Sequence, residues 1–143
     1  MRMSAKGEYA IRAMLDLAMR RGRDLVPIQE IAARQSIPAR YLEQVLLALK
    51  RAGLLVSRRG AAGGYHLARG PEKITVGDVL RAVEGRWAPF GAGEAAGRNG
   101  DRHDLTALWA EVADAVERVV DRWTLEELAE RADDRRSPAR YQI

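Results

Sequence analysis

Residues 36–67, SIPARYLEQVLLALKRAGLLVSRRGAAGGYHL, join an amphipathic helical run to a glycine-rich reversal, and few folds accommodate that order. Ser36 offers a side-chain oxygen just ahead of a helix start. Pro38 suits the first turn, where its fixed φ fits and its missing N–H costs nothing. From there Leu42, Val45, Leu46, Leu49 and Ala52 recur at three- and four-residue steps and make one apolar face. Gly53 stands where helices commonly end in a left-handed residue. The opposite face carries Ala39, Arg40, Tyr41, Glu43, Gln44, Lys50 and Arg51. A recognition helix uses such side chains to meet base edges near its start and phosphates further along.

Just upstream, PIQEIAA (27–33) predicts a shorter helix with Ile28, Ile31 and Ala32 inward, and Arg34, Gln35 and Ser36 form a short link. Two helices joined in this way, the second with a polar face, read as a helix-turn-helix; a plain helical hairpin inside an ordinary core fits the pair equally. The segment after Gly53 favours the first. Leu54, Leu55 and Val56 are strand-like, Arg58 and Arg59 follow, and three glycines in five residues (Gly60, Gly63, Gly64) permit a tight, φ-positive reversal before Tyr65, His66 and Leu67. A hairpin of this kind leaves a guanidinium free to enter a narrow minor groove, against the alternative of a solvated loop.

Charge agrees. Residues 1–73 hold 14 Lys and Arg against 6 Asp and Glu, a net +8, whereas residues 74–143 hold 10 against 14, a net −4. The basic half is the half with the reading helix and wing, as a nucleic-acid footprint requires. No apolar run is long enough to span a membrane, the start is too interrupted by charge for a secretory signal, and the absence of cysteine excludes disulfides and thiol chemistry. A cytoplasmic location is the expectation.

The acidic half has a different task. After Gly85, residues 86–104 are rich in Gly and Ala with little periodicity, which predicts a flexible loop. Leu105, Leu108, Val112, Ala115, Val116 and Val119, with Trp109, Val120 and Trp123, then make an apolar stripe over about five turns. A stripe this broad on a small chain calls for a second copy, the alternative being that it packs only on the chain's own helix around Tyr9 to Met19. Trp109 and Trp123 read as core. Thr124 and Glu127 form a capping box for a last short helix, Leu125–Arg131, followed by a charged, mobile tail from Asp133.

The runs MRMSAKGEYAIRAMLDLA, ARYLEQVLLALKRAGLL, VSRRGAAGGYHLAR and ITVGDVLRAVEG, in order over about residues 1–85 and extended by Leu108 and Trp109, resemble the IscR-type family of bacterial winged-helix transcription regulators. The resemblance implies double-stranded DNA as partner. It places Tyr41 and Gln44 on bases in the major groove, Glu43 where a carboxylate helps select cytosine, and Arg59 in the minor groove. Arg40 stands where a small hydroxyl residue can occur, so its phosphate contact differs in kind. Arg51 and Arg58 complete the basic set, with Gly60, Gly63 and Gly64 shaping the wing.

The expected architecture is therefore mainly α with a small β-hairpin wing. A winged helix-turn-helix domain occupies 1–85, a loop 86–104, a long dimerisation helix with a short terminal helix 105–132, and a tail 133–143. Cluster-binding members carry cysteines and a histidine before the Leu-Trp pair; the matching positions here are Gly91, Gly97, His103 and Thr106. One carboxylate from the first helix, at Glu8, cannot hold an iron–sulfur cluster without thiolates, so no cofactor and no metal are expected. His103 between Asp101 and Asp104, and His66 in the wing, make a poor metal site; solvated charge is the better reading. Trp87 and Phe90 are expected to cover the end of the long helix. No nucleophile–base pair, phosphate loop or metal-hydrolase spacing points to an enzyme. The VEGRWAPF run and the ending ARYQI resemble the cluster-free branch of the family, which admits a protein effector such as cysteine synthase. The expected function is a homodimeric regulator, a repressor, on a pseudo-palindromic operator; the alternative is a winged helix kept as a protein-interaction module.

Overall fold

The computed structural model describes residues 3–22, 25–85 and 105–136. Helix α1 (Ala5–Met19) starts at Ser4, whose hydroxyl accepts the Gly7 N–H at 3.0 Å. It is followed by α2 (Ile28–Gln35) and α3 (Ala39–Arg51), the strands β1 (Leu55–Arg58) and β2 (Gly64–Leu67), and a 3-10 turn at Pro71–Lys73. Helices α4 (Val76–Glu84), α5 (Thr106–Arg122) and α6 (Leu125–Arg136) complete the described elements. This is the expected winged helix-turn-helix, mainly helical with one two-stranded hairpin.

The apolar face read from the α3 sequence is the centre of the core. Leu42, Val45, Leu46 and Leu49 have no exposed surface, and they meet Ala10, Ala13, Met14 and Leu17 of α1, Ile31 of α2, and Val79 and Val83 of α4. Ala52 departs from the expectation. It caps α3 and is exposed, because Gly53 (φ +80°) already turns the chain left-handed. The Gly53 N–H donates to Lys50 O and the Leu54 N–H to Leu49 O, a Schellman ending that feeds Leu54 and Leu55 back into the core.

Ser36 is a second correction. It does not cap α3; it ends α2 in the left-handed region (φ 53°), with Pro38 in the cap position and no side-chain cap bond. The turn between the helices is so short that one residue must reverse the chain. Ser36 takes that conformation.

The hairpin pairs Leu55 with Leu67 through Arg58 with Gly64. A third segment, unannounced by the sequence, joins it: Val26 exchanges two backbone hydrogen bonds of 2.9 Å with Tyr65. The glycines serve different ends than a uniform φ-positive reversal. Only Gly60 among the three has positive φ (+110°). At Gly63 a Cβ would collide with the Arg58 carbonyl, and at Gly64 it would stand 2.5 Å from the Val26 carbonyl oxygen, so both are needed for close backbone approach.

At the C-terminal side, α6 packs on α1 with Leu125 and Ala129 buried. Val76 N–H donates to Trp123 O and Leu125 N–H to Ile74 O, both at 2.9 Å, which ties the α5–α6 junction to the start of α4. The Arg81 guanidinium bonds the Asp121 carboxylate at 2.7 and 3.3 Å, and Gly77 lets the two helices meet where a Cβ would strike Asp121. Helix α5 is thus pinned at its C-terminal end, yet buries none of its residues. Trp109 and Trp123 are therefore half-buried rather than core, Trp123 lying 4.4 Å under the Arg131 guanidinium. The terminal helix is longer than expected, running to Arg136, so residues 133–136 are helix and not tail. Thr124 accepts the Glu127 N–H at 3.1 Å, as its spacing predicts. The expectations for the loop 86–104, including Trp87, Phe90, Gly91, Gly97 and His103, lie outside the described residues.

Candidate nucleic-acid interface

Helix α3 presents Arg40, Glu43, Gln44, Leu47, Lys50 and Arg51 on its outer face, a row of three- and four-residue steps, with Tyr41 beside it. All are exposed, Tyr41 by 50 % and Leu47 by 45 %. Leu47 was not singled out by sequence reading. Its apolar side chain in the middle of a polar row has the character needed to meet a thymine methyl, and its i+3 spacing from Gln44 was the available signal.

At the N-terminal end of α3, Tyr41 meets Tyr9 of α1 edge to face, with centroids 5.8 Å apart at 77°. The Arg12 guanidinium lies 5.6 Å from the centroid of the Tyr9 ring, donates to the Gln35 carbonyl at 2.6 Å, and reaches Glu8 at 3.9 Å. The exposed Tyr41 ring is therefore held by α1, a contact 32 residues apart in sequence that no local pattern announces.

Beneath this face is a second unforeseen group. Asp16 of α1 is 1 % exposed and accepts from Arg34 Nε at 2.9 Å, Arg34 Nη2 at 2.8 Å and Gln35 Nε2 at 3.1 Å. The paired carboxylate holds the Arg34 guanidinium above its ordinary pKa, and the fork engages both carboxylate oxygens. It fixes the end of α2, and with it the turn into α3. A single acid between Leu15 and Leu17 was the sequence signal.

In the wing, Arg58 and Arg59 are exposed at the mouth of the turn closed by Gly63 N–H to Gly60 O at 2.9 Å. Arg12, Arg21, Arg34, Arg69 and Arg81 are each tied to a carboxylate. By contrast Arg40, Lys50, Arg51, Arg58 and Arg59 form no ion pair among the described residues. Their charge is left for an external anion. The structure thus brings Arg40, Tyr41, Glu43, Gln44, Arg51, Arg58, Arg59 and Gly60 to the surface of α3 or the wing, whereas Gly63 is half-buried and Gly64 is buried.

Residues 3–131 match the Rrf2 family, described as an iron-dependent transcriptional regulator. The chain belongs to the Rrf2 family. It is 38 % identical over 133 residues to the HTH-type transcriptional regulator CymR of Bacillus subtilis, spanning 93 % of each chain, and 40 % identical over 129 residues to IscR of Sodalis glossinidius, spanning 90 % of this chain and 78 % of that one. The solved structure titled the global cysteine regulator CymR (YrzC) of B. subtilis superposes with a TM-score of 0.77 at 37 % identity over 91 % of this chain and 97 % of that one. T. potens IscR gives 0.76 at 39 %, over 92 % and 88 %. The Rrf2 chain is accordingly a DNA-binding transcription regulator of winged helix-turn-helix type, and these relatives are regulators rather than enzymes.

Iron dependence in the family description does not extend to an iron–sulfur cluster in this member. Its sequence offers no thiolate, and the single carboxylate Glu8, which lies 3.9 Å from Arg12, cannot hold the cluster without one. The residues present do not fit the cluster. No described helix is long and apolar enough to cross a membrane.

Proposed function

We propose that this Rrf2 regulator reads a pseudo-palindromic operator as a homodimer, with Gln44, Tyr41 and Glu43 of each α3 in the major groove and Arg59 of each wing in the adjacent minor groove. Arg40, Arg51 and Arg58 hold phosphates, while Gly60, Gly63 and Gly64 shape the wing. The observation that carries this reading is the set of unpaired cations flanking base-reading side chains on α3 and at the wing mouth. A protein-binding module would need an acidic partner surface to match such charge.

The dimer follows from α5. Leu105, Leu108 and Val119 are 46, 49 and 46 % exposed, and with Val112, Ala115 and Val116 they repeat at alternating three- and four-residue steps, the spacing of a helix–helix seam. A two-fold pair along this seam sets two reading helices for two half-sites.

Fluorescence anisotropy on a selected operator tests the assignment. Gln44→Ala should cost about 1–3 kcal/mol and relax one base position, as a lost bidentate base contact does. Arg51→Ala should weaken all sequences alike and shallow the salt slope by about one unit, the mark of a lost phosphate contact. Both variants binding like the parent would remove α3 from the DNA and favour the protein-interaction reading.

A further inference from the structure

A cavity of about 390 Å³ opens at the far end of α1 from the Tyr9–Tyr41 contact. Its floor is apolar, with Leu17, Val26 and Pro71 all buried. Its rim carries three guanidinium groups, from Arg20, Arg21 and Arg69, and no carboxylate is among the described residues that line it. Two of these cations are partly engaged elsewhere. Arg21 bonds Glu126 at 3.0 Å, and Arg69 stands 3.6 Å from Asp78 while its Nε donates to the Lys73 carbonyl. Arg20 has no partner among the described residues. Glu72 folds over Gly70 beside the rim without lining the space.

Charge and shape together select the occupant. Arg20, the rim cation without a partner among the described residues, favours an anion, and the buried apolar floor favours a hydrocarbon body attached to it. A volume of this size sits at the small end of ligand pockets, which run from roughly 300 to 1,000 Å³. DNA phosphate is the competing anion, but it would leave the floor bare. The cavity also lies away from the reading face: Arg20 follows Tyr9 by eleven residues, about 16 Å along α1 at 1.5 Å per residue. We propose that this cavity binds a small organic carboxylate, the carboxylate held by Arg20 with Arg69, and the apolar body seated on Leu17, Val26 and Pro71. Its walls continue into the wing. His66 and Leu67 of β2 line it, and Val26 carries the paired hydrogen bonds to Tyr65.

The test uses the full chain without DNA, so its result is independent of how the operator is read. With 3-phenylpropanoate as probe, saturable amide shifts are expected in the NMR spectrum at Leu67, Gly70 and Arg20. The neutral 3-phenylpropanamide and inorganic phosphate should each bind at least tenfold more weakly than the acid. Arg20→Gln, at a half-buried side chain with no partner among the described residues, should keep the parent thermal midpoint and the rest of the spectrum while losing at least tenfold in probe affinity. Equal binding of acid and amide would overturn the carboxylate assignment, phosphate binding as tightly as the probe would make this a general anion site, and the absence of saturable shifts would remove the site.

Discussion

Replacing Arg34 by alanine tests the idea that a single buried ion pair sets the helix-turn-helix on its base. The change leaves the Asp16 carboxylate, 1 % exposed, with the Gln35 amide as its remaining donor at 3.1 Å. Removing one partner of a buried pair costs about 3–5 kcal/mol, because a charge stays out of water without compensation. The Arg34 side chain is itself 27 % exposed, so water can partly fill the space it vacates, and the lower end, about 3 kcal/mol, is expected. With a urea slope of about 2 kcal/mol per molar, the midpoint should fall by roughly 1.5 M. Arg34→Lys keeps the charge but loses the fork to both carboxylate oxygens, and should fall in between. The double variant Asp16→Leu with Arg34→Met should return close to the parent, since an apolar pair removes the unmet charge. Urea unfolding followed by circular dichroism, at one fixed protein concentration because a dimer's stability depends on it, supplies the numbers. A loss below about 1 kcal/mol in Arg34→Ala, or a double variant no better than the single one, would refute the reasoning.

Val112→Glu with Val119→Glu places charges along the α5 seam, and sedimentation should then show a monomer that no longer binds the operator with specificity; a persistent dimer would move the interface elsewhere. Asp78 supplies a pH signature. Burial pushes its carboxyl up, but the Thr75 backbone and hydroxyl hydrogen bonds and Arg81 outweigh it, so the folded value lies below the ordinary one. Its contribution is therefore present above the unfolded carboxylate pKa of about 4 and is lost as pH falls through the lower folded value; the stability gap between the parent and Asp78→Asn should shrink in that window and stay constant from pH 5 to 8. Gly64→Ala should cost about 1–3 kcal/mol through its collision with the Val26 carbonyl, and hydrogen exchange at the Tyr65 amide should accelerate while α3 amides in the same protein stay protected.

The reading helix, the wing and the long apolar helix were legible in the residues because each rests on a local regularity. The 3.6-residue period of Leu42, Val45, Leu46 and Leu49, the glycine after Ala52, and the charge asymmetry between the two halves act over a few turns or need only counting. The outward residues of α3 came with them, since an amphipathic helix that buries one face must expose the other. What local pattern could not reveal is whatever depends on a distant segment. Ser36 carries the composition of a helix cap, yet the tightness of the turn between two packed helices makes it the reversal point instead. Gly63 and Gly64 look interchangeable with Gly60, but their need arises from the carbonyls of Arg58 and Val26, and the Val26 segment joins the hairpin only once α1 has returned the chain to it. Trp109 and Trp123 have core composition, and only the placement of α5 along the edge of α4 leaves them half open. The same reason covers the Asp16–Arg34 pair and the Tyr9–Tyr41 contact: a charge is tolerated in a core, and an exposed ring is held in one orientation, only through partners that tertiary packing supplies from elsewhere in the chain.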